Sequence, residues 1–438
     1  MKKGCTLGFA MLMVSLFLVG CVKETEGVQQ EVQDSIQDIS CVESLSALTV
    51  PDEATIVAFG EATHGNHEFK SLATEVFKKL VLEKGFRAFA LEAHFGNCVA
   101  INEYILYGTG TAKDAVKGNG FWVHSFQEVV DLVEWMREYN LTADESDKLH
   151  FYGYDIQETD VSSKLFLEYL RTVDPKKARE YKFAYSSILN VSVYDFNVYT
   201  GNQIMLHDLL DNIDKIISEM EQNKEIYILA SSQAEYDFAL RNAVCVRNTF
   251  ENALMPKNMS DLDGVRESFN HRDQCMFDNV RWIVEREESL GRGKVFIFAH
   301  NGHIRKSEYA TMHVMGQHLS AEYGDQYFTI GTNYYKNTFL AAQPGKGLAE
   351  GSLINASGEL MKLFIDSNTD IDILDIKKNM ESDEAMEKIL SSEQEMGTVG
   401  AIYDPSQPSN VYTEQFVPAS TYDVMILVRN ATPAIFFK

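Results

Sequence analysis

Thr55-Ile56-Val57-Ala58-Phe59-Gly60-Glu61-Ala62-Thr63-His64-Gly65 is the stretch whose reading decides the fold. A short apolar run stops at a glycine. It then sets a carboxylate and an imidazole three residues apart, and a second glycine follows. An apolar run bounded by glycine reads as a buried strand. In an open α/β sheet, the loops at the carboxyl ends of the strands border the crevice where ligands bind.

Working outward, Phe69, Leu72, Val76, Phe77, Leu80 and Val81 recur at helical spacing up to Gly85, a helix stop. Phe86 to Leu91 reads as a second strand, with Glu92 and His94 just past it. Strand, helix and strand make a βαβ unit, hence a parallel pair. Phe126, Val129, Val130, Val133 and Met136 mark another helix, and His150 to Tyr154 a third strand ending at Asp155 and Gln157. Lys294 to Ala299 is the clearest strand of all and runs into His300-Asn301-Gly302-His303. Tyr327 to Gly331 and Val424 to Val428 complete the set, while Leu340 to Pro418 reads as irregular chain wrapping the surface.

Between Asp160 and Ser289 no segment reads as a strand, and Leu206, Leu209, Leu210, Ile213, Ile216, Ile217 and Met220 form a helical stripe. The expected fold is therefore α/β: a mostly parallel sheet flanked by helices, with an inserted helical subdomain. The divisions expected are 1–20 signal peptide, 21–50 flexible tether, 51–159 first half of the α/β core, 160–290 helical subdomain and 291–438 second half of the core.

A chain of 438 residues can bury a sizeable core, and its formal net charge of -25 argues against nucleic acid as a partner, since phosphates would be repelled. Lys2 and Lys3 precede an apolar stretch from Leu7 to Gly20, too short to span a bilayer comfortably. Leu18-Val19-Gly20-Cys21 resembles a bacterial lipobox in which Cys21 is acylated, which gives a cell-envelope protein held to the membrane by lipid alone. Val22 to about Ser46 is polar and acidic and suits a tether. Cys41, Cys98, Cys245 and Cys275 show neither CxxC nor metal-like spacing, so no disulfide framework is expected.

Four strands thus end in Glu61/His64, Glu92/His94, Asp155 and His300/His303. If the strands are parallel neighbours, these groups meet on one rim. A histidine with a pKa near ~6.5 can take a proton from water at neutral pH, and a carboxylate beside it fixes its tautomer. That describes hydrolysis by direct water attack, with no cofactor. No G-x-S-x-G elbow, S-x-x-K, P-loop or G-x-G-x-x-G after a strand is present. Two alternatives stay open. His64 with His67 and His300 with His303, near Glu61 and Glu92, have spacings suited to a divalent ion in a metal-dependent envelope hydrolase. A non-catalytic envelope binding protein would keep the same fold. Arg272 reads either as an exposed salt bridge or as an anchor for an anionic or carbonyl group.

The motifs together resemble the erythromycin esterase family: Gly60-Glu61-Ala62-Thr63-His64-Gly65, Phe89-Ala90-Leu91-Glu92-Ala93, Trp135-Met136-Arg137 and Tyr152-Gly153-Tyr154-Asp155-Ile156-Gln157. Arg272-Asp273, Phe298-Ala299-His300-Asn301-Gly302-His303-Ile304, Met315-Gly316, Tyr422-Asp423 and Thr432-Pro433-Ala434 follow in the same order. The resemblance implies a metal-independent ester hydrolase acting on a small-molecule ester, with a macrolide lactone, and hence antibiotic resistance, as the best-known case. It implies His64 as general base supported by Glu61, with Glu92 and His300 positioning water and carbonyl. His303, Asp155 and Arg272 are then expected around the substrate. The family's basic residue in the helix after the His-Gly step has no counterpart at Ser71, Leu72 or Ala73, and Lys70 is a loose substitute. The resemblance therefore carries the chemistry further than the substrate.

Overall fold

The computed structural model describes residues 45–185, 203–255, 262–367 and 369–437. The expected signal peptide, Cys21, Cys41 and most of the tether lie outside the described residues. Leu45, Leu48 and Val50, by contrast, are buried in the core, so the end of the expected tether belongs to the fold.

The sheet is built from β1 (Ile56–Glu61), β2 (Ala88–His94), β3 (His150–Asp155), β4 (Val295–His300), β5 (Tyr327–Gln343), β6 (Gly347–Ile354) and β7 (Ile371–Asp375). β8 (Gln394–Gly397) and β9 (Thr413–Phe416) form a separate antiparallel pair, and β10 (Val424–Ala431) returns to the main sheet. The main order is β3-β2-β4-β1-β5-β10-β7, with β6 paired to β5. Every pair from β3 to β10 along this path is parallel, and β7 and β6 add antiparallel edges. The mostly parallel α/β sheet is the fold expected from the sequence.

Alternation along the strands supplies two cores. Val57, Phe59, Phe89, Leu91, Phe296 and Phe298 face one side, under the helix His67–Lys84 and the helix Gln127–Thr142. Ile56, Ala58, Ala88, Ala90, Val295, Ile297 and Ala299 face the other. On that second side the aromatic rings give way to small residues, and the helix Leu262–Ser289 fits against them through Met276, Phe277, Val280, Ile283 and Val284. This helix, placed by the sequence in the inserted subdomain, is thus one of the sheet's own covers. The preceding helices keep a separate apolar cluster that includes Phe166, Leu206, Leu209, Ile213, Ile216, Met220, Tyr236 and Phe250. Cys98, Cys245 and Cys275 are buried free thiols.

One expectation fails. β5 does not stop at Gly331, and the segment from Leu340 to Pro418 is not irregular: it holds β6 to β9 and three helices. Beyond Gly331 the strand passes through Thr332, Asn333, Lys336 and Asn337, polar residues that break the apolar run. Thr332, Asn333 and Asn337 are nonetheless buried, because they bond to neighbouring loops. The β5–β6 turn is made by Gly345 and Gly347, both at positive φ.

The chain after β10 then crosses back over the start of the fold. Thr432 carbonyl accepts from the His67 backbone N–H (2.9 Å), Ala434 N–H donates to Gly65 carbonyl (3.0 Å), and Gln127 N–H donates to Ile435 carbonyl (2.8 Å). Glu68 fixes Thr432 by accepting from its backbone N–H and its hydroxyl, each at 2.6 Å.

Candidate active site

β3, β2, β4 and β1 are consecutive in the sheet and parallel, so their carboxyl ends lie side by side. In register, Glu61 is level with His300 and His94 with Asp155. His64, Glu92, Asp155, Arg272, His300 and His303 line one open cleft there. Glu61 lies directly behind it, bonded to His64.

The glycines of the opening stretch are required by close approach. A Cβ on Gly60 would sit 2.2 Å from Asn301 Oδ1, and one on Gly65 would sit 1.9 Å from the Leu340 carbonyl oxygen. The loop carrying His64 is therefore pressed against β5 and against the turn after β4. Asn301 completes this splice: its amide donates to Thr332 carbonyl (2.7 Å) and accepts from Thr332 N–H (3.1 Å).

His64 Nδ1 and Glu61 Oε1 are 2.8 Å apart, and the imidazole is 12% exposed where the carboxylate is only 2% exposed. The second oxygen, Oε2, accepts from Lys70 Nζ at 2.8 Å, and the same ammonium donates to the His64 carbonyl. Burial works to raise the Glu61 pKa, but the Lys70 charge and the His64 bond outweigh it and bring it down to about 2. Glu61 thus stays ionised beneath the imidazole. Lys70, set aside as a loose match in the sequence, is a buried member of this group. His67, in contrast, turns away and bonds Glu128 Oε1 at 2.7 Å.

Across the cleft, Arg272 forks onto Asp155, Nε to Oδ1 at 2.9 Å and Nη2 to Oδ2 at 2.8 Å. Its Nη2 also donates to Glu92 Oε1 at 2.9 Å. His303 sits between Asp273 Oδ1 (2.8 Å) and Glu92 Oε1 (3.2 Å). Burial opposes its charge, yet these two carboxylates raise its pKa to about 10, against the Arg272 Nη1 that lies 3.3 Å from its Nε2. For Glu92 and Asp155, burial is likewise outweighed by the cations beside them, and both carboxyls lie below their usual range. Phe269 stacks on His303 at 5.4 Å with an interplanar angle of 11°, forming a wall.

His300 has the opposite character. Gly302 N–H donates to its Nδ1 (3.2 Å), which leaves the ring proton on Nε2. Burial, reinforced by the neighbouring His64, lowers its pKa to about 3, so it remains a neutral hydrogen-bond donor. Its ring centroid lies 5.3 Å from that of His64. Its backbone N–H donates to Glu92 Oε2 at 2.8 Å, tying β4 to β2.

Several members of the site were missed in the sequence. Asp273 was quoted beside Arg272, but a sequence cannot say that both face the rim. His124 donates through Nε2 to the Glu92 carbonyl (2.7 Å) from the 3-10 turn Trp122–His124, too short to carry a periodic signal. Thr398, Gly400 and Ala401 reach the cleft from the segment read as irregular.

The oxygens of Glu61, Glu92 and Asp155 are engaged by Lys70 and Arg272, cations that stand where a metal ion would need its ligands. Among the described residues, no group of three His, Cys, Asp or Glu side chains is arranged to hold one. The donor set therefore suits acid–base chemistry better than metal ligation.

The buried neutral histidines make the fold acid-labile. Burial lowers the pKa of His94 to about 3, that of His300 to about 3 and that of His124 to about 4. The unfolded chain binds these protons below a pKa of ~6.5, while the folded chain refuses them. Their contribution to stability is thus complete above that value and falls with pH through the window down to about 3. His94, its ring tilted against Phe121 at 4.3 Å and with no hydrogen-bond partner for either ring nitrogen, isolates the effect. Replacing it with Leu should remove one proton from the slope, about 1.4 kcal/mol per pH unit between pH 6 and 4. Urea unfolding of both proteins across this range checks it, and parallel curves would count against it.

A family model and a curated relative name the same family, and solved structures share the fold. The erythromycin esterase family model matches residues 81–431, beginning after Glu61 and His64. An erythromycin esterase type II of Escherichia coli is 25% identical over 311 residues, 67% of this chain and 72% of the relative. A Bacillus cereus protein of known structure shares the fold with a TM-score of 0.76 at 23% identity, over 88% of this chain and 91% of that one. A mutant of the erythromycin esterase EreC in its open conformation aligns with a TM-score of 0.65 at 16% identity, over 87% and 92%.

Proposed function

The chain belongs to the erythromycin esterase family, and from that premise we propose that it hydrolyses an ester with water activated at His64. The observation that carries this reading is the Glu61–His64 pair at 2.8 Å, set at the cleft opposite a neutral His300. With Nδ1–H given to Glu61, Nε2 of His64 is the basic nitrogen. It takes a proton from water as the water oxygen bonds to the carbonyl carbon. Glu61 stays ionised and stabilises the imidazolium. The negative charge moves onto the former carbonyl oxygen, where Nε2–H of His300 can receive it. On collapse the ester C–O bond breaks, and the leaving alkoxide takes the proton back from His64. One water is consumed, and an acid and an alcohol are released.

Glu92, Asp155, Arg272 and His303 form the floor in this reading. Their charges are satisfied by one another, so they hold shape and field. Phe121, Val123, Phe269 and Tyr309 give the cleft apolar walls, which suit a bulky apolar ester. A macrolide lactone is the first candidate substrate. The purified protein is to be incubated with simple esters and a macrolide panel and read by mass spectrometry. The expected product is substrate plus one water. Turnover of simple esters alone would remove the macrolide assignment, and turnover of none would remove the hydrolase.

A further inference from the structure

We infer that Thr398 is a further catalytic residue, a hydroxyl that shares with His300 the charge on the former carbonyl oxygen; this rests on the hydrolase reading above. Thr398 lines the cleft and is buried, and its Oγ1 lies 3.4 Å from His300 Nε2. The proton on that nitrogen is fixed by the Gly302 N–H on the other side of the ring, so His300 donates and Thr398 accepts. The Tyr309 hydroxyl, also at the cleft and buried, is the second partner of Thr398. A hydroxyl has two lone pairs and one proton. At rest the Thr398 hydroxyl accepts from His300 and bonds Tyr309; a carbonyl oxygen entering beside Nε2 takes over the His300 proton, and the Thr398 hydroxyl then turns its own proton to that oxygen.

The backbone holds Thr398 for this task. Its N–H donates to Tyr412 carbonyl (2.9 Å), and the next residue, Val399, donates to Ala62 carbonyl (3.0 Å). Thr63 and Val399 form a bridge, so the segment carrying Thr398 runs beside the loop that carries His64. The base and the two donors therefore belong to one hydrogen-bonded frame. In the step itself, the oxygen's new charge accepts from His300 Nε2–H and Thr398 Oγ–H, and neither proton is transferred. Both donor atoms are fixed by the frame before reaction, and only the hydroxyl proton has to turn.

The test uses Thr398→Val, which keeps shape and loses the hydroxyl, and Thr398→Ser, which keeps the hydroxyl. The substrate is whichever ester the wild type turns over, and the probe is the phosphonate of matching acyl group, whose tetrahedral anion mimics the intermediate. Thr398→Val is expected to lower kcat roughly 10²-fold with KM within about twofold, and to weaken phosphonate binding by a similar factor. Thr398→Ser is expected to stay within about threefold of wild type in both. A valine variant with wild-type kcat overturns the inference. So does one whose kcat falls while its phosphonate affinity is unchanged, because that pattern is structural. If the wild type itself hydrolyses no ester, the hydrolase reading falls first and the role of Thr398 with it.

Discussion

His64→Ala should lower kcat/KM by about 10²- to 10⁴-fold, the usual contribution of a positioned general base. Folding should survive, because the imidazole is partly exposed and Glu61 keeps its bond to Lys70. The change therefore removes a proton acceptor and leaves no uncompensated charge behind it. Initial rates on an ester turned over by the wild type, with thermal melts of both proteins, check the two halves together. Activity within threefold of wild type would take His64 out of the mechanism. A large loss of melting temperature would instead assign it to the frame.

Arg272→Met is expected to show the reverse pattern, with stability falling by about 3–5 kcal/mol. Arg272 is the shared counter-charge of Asp155 and Glu92; Arg272 and Asp155 are buried and Glu92 is partly so. Methionine fills much the same space, so the cost comes from Asp155 losing its cation and Glu92 keeping only His303. Arg272→Lys should recover part of it, since an ammonium restores charge without the fork that meets both oxygens of Asp155. Urea unfolding at neutral pH reads this directly. A loss below 1 kcal/mol for the methionine variant would mean that the floor does not depend on this ion pair.

The sheet was legible in the sequence because its central strands are short apolar runs that stop in glycine or in a polar pair. The convergence of Glu61, Glu92, Asp155 and His300 followed from parallel pairing alone. Other parts of the site gave no local signal. The polar second half of β5 reads as loop, since its Thr and Asn side chains are satisfied only by partners far along the chain. Thr398 reaches the cleft across nearly the whole length of the sequence, and no periodicity marks it. Lys70 and Glu68 lie on a helix whose apolar stripe is plain. Both are nevertheless buried, because Glu61 and Thr432 come to meet them. Burial of a charge depends on a partner, and partners are tertiary.

β1, the strand that carries Glu61, has as its two neighbours β4 and β5, which are made more than two hundred residues later. The segment after β10 then closes over Gly65 and His67. On the ribosome β1 must wait with both edges bare through the synthesis of the entire helical region. Such long-range pairing makes for slow folding and exposes a sticky intermediate. Nascent chains of this protein should lean heavily on chaperones, and the cleft would be completed only once the segment after β10 has emerged.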